Sequence, residues 1–195
     1  MSLIKNIRKT KETYVEVWLD LLKNSLPSSI IQTPVGFLNH MLELLFYHSG
    51  INAYIKADGD IEVDFHHTVE DIGITLGETF NKALGDRKGI ARYGEATIPM
   101  EDALTQAVVD LAKRPYFYFE VNFPTEKIGY FDVELIPEFL KAFVMHGMFT
   151  LHIRNFYGKN SHHIAESIFK ALAHALKKAL SSSSENLPFS TKGIL

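Results

Sequence analysis

The chain has 195 residues, 46% of them hydrophobic, which is enough for a self-supporting core without covalent staples. It contains no cysteine, so disulfides and thiolate-bound zinc are excluded and any metal must be held by imidazole and carboxylate, a composition that fits a reducing cytoplasm. A formal charge of -3 with interspersed signs lacks the basic stripe of a nucleic-acid surface, and no run suits a signal peptide or a membrane span, so a soluble protein is expected, with no nucleic-acid or membrane partner.

Thr13 to Leu19 alternates apolar and polar residues in the manner of a half-buried strand, and Leu26 to Pro34, with its Pro-Ser-Ser, reads as a turn. From Phe37 to Tyr47 apolar residues recur at helical spacing, and Gly50 is placed to end that helix before a strand at Asn52 to Ala57. Asp58-Gly59-Asp60 reads as a turn. Glu62 to Phe65 then deliver the chain to His66-His67 and to an amphipathic helix over Thr68 to Leu84, closed near Gly85. Between Ala91 and Phe123 the pattern predicts a strand interrupted at Pro99, a short helical stretch around Asp102 and a β-rich run ending at Val121-Asn122-Phe123. Ser181 to Pro188 is a polar linker, followed by a short tail from Phe189 to Leu195.

The second half repeats the plan of the first. HHTVEDIGITLGETFNKAL, beginning at His66, matches HHIAESIFKALAHALKKAL, beginning at His162, in both histidines, the glutamate, the next isoleucine and the closing Lys-Ala-Leu. Upstream of each pair the order aromatic, His, Gly, strand, Gly-containing turn also recurs. Two strand-helix units that each leave one apolar face open bury those faces against one another. The expected fold is therefore α+β, with two pseudo-symmetric strand-helix half-domains, about 1–90 and 91–195, packed as one domain.

The repeated His-His-x-x-Glu points to metal. Helical residues four apart share a face, whereas neighbours point about 100° apart. His66 and Glu70 can therefore grip one ion, as can His162 and Glu166, while His67 and His163 are aimed elsewhere. If the two copies face each other, within one chain or across a subunit contact, each pair can be completed by the odd histidine of the other copy. Nitrogen and oxygen ligands without sulfur favour manganese, iron, cobalt or zinc. The zinc-protease pattern, two histidines four apart around a glutamate, is missing. His40, in Asn-His-Met on the first helix, is a further candidate ligand, whereas His48, His146, His152 and His174 read as structural.

Several motifs, in order, resemble those of the imidazoleglycerol-phosphate dehydratases over nearly the whole chain: RKTKET from Arg8, GFLNHML from Gly36, HHTVEDIG from His66, GIARYG from Gly89, Pro99-Met100 with two acids, Arg114-Pro115-Tyr116, GKNSHH from Gly158, Phe169-Lys170-Ala171 and STKG from Ser190. The resemblance implies a cytoplasmic, manganese-dependent lyase of histidine biosynthesis that dehydrates imidazole glycerol phosphate to imidazole acetol phosphate. It also implies trimers assembled into a homo-oligomeric 24-mer, with active sites at subunit contacts. By position it makes His40, His66, His67, Glu70, Glu138, His162, His163 and Glu166 the ligands of two manganese ions per site. Glu138 otherwise reads as an exposed acid at a helix start. Arg92, Arg114, Lys170, Ser190 and Lys192 match the family's phosphate-binding residues, a role that suits arginine forks and lysine point charges.

The chain departs from the family's usual pattern at Asn39, Leu44, Phe65 and Ala112-Lys113, and in the order Glu101-Asp102. Leu44, standing where the family has a glutamine, bears on substrate affinity. For the chemistry, two metals on the imidazole nitrogens would stabilise an imidazolate that serves as the electron sink for loss of water. Glu166 and Glu12 are the leading acid-base candidates, with Glu101 third; Glu12 also reads as a plain strand-edge charge. Two other classes fit the same ligand pairs: a non-catalytic shell cemented by its ions, and a two-metal hydrolase acting on a phosphorylated metabolite.

Overall fold

A computed structural model describes residues 3–21 and 25–183. The first half contains β1 (Ile4–Lys9), β2 (Thr13–Asp20), β3 (Ile30–Gln32), α1 (Gly36–Ser49), β4 (Asn52–Gly59) and α2 (His66–Leu84). The second contains β5 (Tyr93–Met100), β6 (Ala103–Asp110), β7 (Tyr116–Glu120), a small hairpin of β8 (Lys127–Ile128) and β9 (Phe131–Asp132), α3 (Leu135–Gly147), β10 (Thr150–Tyr157) and α4 (Ser161–Ala179). The sheets are ordered β1-β2-β4-β3 and β5-β6-β10-β7. In each, the first three strands are antiparallel and the last is added in parallel, so the second sheet repeats the first strand for strand. The expected duplicated α+β fold is what the chain adopts, with the β8–β9 hairpin as an addition to the second copy.

Alternation drives the strands. In β2, Thr13, Val15, Val17 and Leu19 are buried, and the residues between them face outward. The helices interleave: α2 lies on its own sheet and against α3, while α4 lies on the second sheet and against α1. Each helix thus covers a sheet of its own half and a helix of the other, and one continuous core runs through both halves. The α2–α3 contact is unusually close, because a Cβ at Gly77 would stand 2.6 Å from the Phe143 carbonyl oxygen and 2.8 Å from the Gly147 nitrogen. Among the described residues, no helix is long and apolar enough to cross a membrane.

Four local expectations are corrected. There is no helix around Asp102, because Glu101 and Asp102 form the turn of the β5–β6 hairpin, with Glu101 in the left-handed region at φ 45°. Pro99 does not interrupt its strand: β5 is an edge strand, where a missing N–H costs no ladder bond. The stretch read wholly as a turn contains β3, which gains its place by pairing with β4. The run expected to reach Phe123 closes at Glu120. The start of the expected linker is tied down, with the Ser181 carbonyl accepting from Ala91 N–H and Ser183 N–H donating to Gly89.

Candidate metal centre

Interleaving the helices brings α1 of one half against α4 of the other, and the conspicuous side chains meet there. The Asn160 side chain caps α4 by accepting from the backbone N–H groups of His162 and His163. That fixes the helix start and turns His162 and Glu166, four residues apart, toward α1. His40 Nε2 and His162 Nε2 each lie 3.1 Å from Glu166 Oε1. Among the described residues these three form the one group whose ligand atoms all lie within 4.8 Å of one another. The second Glu166 oxygen, Oε2, accepts from Lys170 Nζ at 2.6 Å. Burial alone would raise the pKa of Glu166, but the Lys170 ammonium and the two imidazoles hold it down to about 2. Two imidazole nitrogens and an ionised carboxylate oxygen converging on one point are a donor set that fits a divalent transition-metal ion.

A second, more open group lies across the α2–α3 contact. Gly50 closes α1 and Met148 closes α3, both left-handed and both donating their backbone N–H four residues back, to Phe46 and Val144. Ten residues before these matching caps stand His40 and Glu138, so Glu138 occupies in the second half the place His40 holds in the first. Glu138 and Glu70 line one cavity of about 140 Å3 with Lys141 and His146. His66 Nε2 is 3.9 Å from Glu70 Oε2.

The odd histidines are held by other carboxylates. His67 donates from Nδ1 to Asp60 at 3.0 Å, with Glu12 3.8 Å away. His163 donates from Nδ1 to Asp102 at 2.5 Å, and Glu101 is 3.9 Å from its Nε2. These hydrogen bonds raise the pKa of both imidazoles. Asp102, which accepts from His163 and from the Lys159 and Asn160 N–H groups, is held down to about 2. An imidazole fixed through Nδ1–H presents Nε2 as its free ligand atom, the arrangement usual around metal-bound histidine. Asp60 and Asp102 were missed from the sequence; their only signal was their place in acidic turns, since Asp102 and His163 are 61 residues apart.

The phosphate candidates are not gathered in one place. Arg92 and Arg114 share Asp110, whereas Lys170 is engaged with Glu166. The Arg92 N–H donates to Ala179 at the end of α4, nine residues beyond Lys170 and therefore about 13 Å along the helix axis. Ser190 and Lys192 lie outside the described residues. Of the departures, Asn39 bonds Thr33 through both ends of its amide, Phe65 packs on the core, and Leu44 is partly buried against it.

Residues 33–176 match the family model described as imidazoleglycerol-phosphate dehydratase. The chain is 50% identical over 173 residues to the imidazoleglycerol-phosphate dehydratase of Rhodopseudomonas palustris, covering 89% of this chain and 87% of that one. It is 47% identical to that of Xanthobacter autotrophicus over 192 residues, covering 97% and 96%. The crystal structure of the Staphylococcus aureus enzyme superposes with a TM-score of 0.84 at 40% identity, over 93% of this chain and 100% of that one. The Pyrococcus furiosus enzyme superposes with a TM-score of 0.83 at 36% identity, over 97% and 100%. The duplicated fold, the histidine-carboxylate cluster and these likenesses agree, and the chain belongs to the imidazoleglycerol-phosphate dehydratase family of enzymes.

Proposed function

We propose that this chain dehydrates imidazole glycerol phosphate to imidazole acetol phosphate in histidine biosynthesis, at a site holding two divalent ions, manganese being the preferred metal. The observation that carries the reading is the convergence of His40, His162 and Glu166 on one point. These three would hold one ion and His66, Glu70 and Glu138 the other. His67 and His163, each fixed through Nδ1, would complete the centres of neighbouring copies, which makes the working enzyme a homo-oligomer. Trimers assembled into a cytoplasmic 24-mer, as the family pattern has it, are the proposed form.

When bound, the ions supply Lewis acidity that lowers the cost of an imidazolate form of the substrate ring. The chain supplies the rest. Both oxygens of Glu166 are already engaged, Oε1 by two imidazoles and Oε2 by Lys170, which suits a ligand better than a base. Glu12 and Glu101 are the better-placed acid-base groups, because each sits exposed in a hairpin turn beside an odd histidine. One carboxylate takes the proton from the carbon next to the leaving hydroxyl; the hydroxyl departs as water after gaining a proton, and the resulting enol ketonises. Arg92, Arg114, Lys170, Ser190 and Lys192 are proposed to hold the phosphate, with residues from more than one copy contributing.

Elemental analysis of manganese-reconstituted protein together with a dehydration assay tests the reading. About two ions per chain with product formation supports it. Two ions without product reduces the centre to structural cement, and no bound metal removes the argument altogether.

A further inference from the structure

Arg92 is held from three directions. Its backbone, left-handed at φ 71°, donates to Ala179 at the end of α4 and accepts from Leu111 N–H. Its guanidinium grips Asp110 bidentately, Nε to Oδ1 at 2.7 Å and Nη2 to Oδ2 at 3.0 Å. Asp110, the last residue of β6, also accepts from Arg114 Nη2 at 3.3 Å. One carboxylate therefore serves two arginines, and exposure rises outward through the three side chains: 7% for Arg92, 18% for Asp110 and 69% for Arg114. No sequence motif singled out Asp110.

We infer that Asp110 is a positioning residue for phosphate recognition. It fixes the plane of the Arg92 guanidinium through two bonds, tethers the exposed Arg114 guanidinium beside it through one, and offsets the repulsion between them, so that an arriving phosphate dianion meets two arginines already held together. The inference rests on the proposed phosphate role of Arg92 and Arg114. Its physical basis is geometric: a guanidinium recognises phosphate through paired N–H groups in one plane, and a carboxylate on one edge fixes that plane and directs the other edge. An exposed arginine without such a partner samples many rotamers and must be ordered anew at each binding event. A merely structural Asp110 would instead only fasten the end of β6 to the start of β5. That junction already has a backbone bond, Leu111 N–H to the Arg92 carbonyl, and Arg92 is separately tied to α4.

The test uses the full-length, manganese-reconstituted protein with Asp110→Asn, which keeps the shape and removes the charge. KM for imidazole glycerol phosphate should rise about tenfold with kcat within about twofold, because the lost interaction orders the binding forks and does not touch the reacting carbon. The inhibition constant of inorganic phosphate should rise in parallel. Asp110→Glu, which keeps the charge but displaces it, should give an intermediate KM, and it serves as the readout if Asp110→Asn does not fold. Combined with Arg114→Ala, Asp110→Asn should add less than its effect alone, since both act on one fork. Unchanged KM and phosphate inhibition in Asp110→Asn, alongside a raised KM in Arg114→Ala, overturns the role of Asp110 and leaves the phosphate reading intact. Unchanged KM in both Arg92→Ala and Arg114→Ala overturns the phosphate reading itself.

Discussion

Replacing Glu166 with glutamine probes a carboxylate with both oxygens engaged. The Glu166 and Lys170 side chains are only 11% and 18% exposed, and they meet at 2.6 Å. Removing one partner of a buried ion pair typically costs about 3–5 kcal/mol, because the other charge stays buried without compensation. Glutamine retains one acceptor oxygen and the pair is not fully enclosed, so the expected loss is about 2–3 kcal/mol. For a domain of this size that lowers the melting temperature by roughly 5–10 °C. The assay is thermal denaturation of chelator-treated protein, where no metal contributes. Adding Lys170→Met to Glu166→Gln should recover part of the loss, since it removes the stranded ammonium. If the chelator-treated single variant melts within about 1 °C of the parent, or the double variant recovers nothing, the buried-pair account of Glu166 is wrong.

Three further outcomes follow from the same geometry. Glu12→Gln should leave metal content unchanged and suppress turnover by about 100-fold or more, and normal turnover would remove Glu12 from the chemistry. Gly77→Ala should destabilise the fold by about 1–3 kcal/mol in urea titrations, because its Cβ would stand 2.6 Å from the Phe143 carbonyl oxygen; an unchanged midpoint would mean that α2 and α3 are not in such close contact. His48 supplies a pH test. Burial first, then the neighbouring His174 and Lys170 charges, push its imidazole below the ordinary value of 6.5. The folded chain then binds that proton less readily than the unfolded chain, so its contribution to stability is complete above pH 6.5 and is lost as the pH falls. The parent should therefore lose melting temperature relative to His48→Gln on acidification. Taking the difference between the two proteins cancels His67 and His163, whose raised pKa values act in the opposite direction.

The sequence was most legible where a local period and a chemical oddity coincided. The two His-His-x-x-Glu segments announced both a helix and the His-Glu pair on one of its faces, and their repetition exposed the duplication. The alternation from Thr13 to Leu19 likewise gave β2, because one face of that strand is wholly buried. Legibility failed where the deciding partner is distant. β1 alternates only between half-buried and exposed positions, and its sequence Ile-Lys-Asn-Ile-Arg-Lys does not follow that alternation, so it takes its place by pairing with β2. The acids around Asp102 resemble a helix start until β6 is seen to return immediately beside β5. Asp60, Asp102 and Asp110 act through partners 7, 61 and 18 residues away, and no short motif encodes such pairings. The residues alone left Glu138 an exposed acid at a helix start; the family resemblance drew it in as a ligand, and the matching left-handed caps of Gly50 and Met148 put it at the place that His40 holds in the first half.

Those matched caps bear on how freely the two halves can vary. If two identical half-chains paired through a twofold axis, any change of ligand would appear at both clusters at once. Here the halves are covalently joined, and each cluster borrows a helix from either side, so a substitution on α1 or α3 alters one cluster alone. The histidine at position 40 and the glutamate at 138 are that freedom already used. One cluster carries an imidazole where its counterpart carries a second carboxylate. Joining the halves turned a repeated element into two that can be tuned separately.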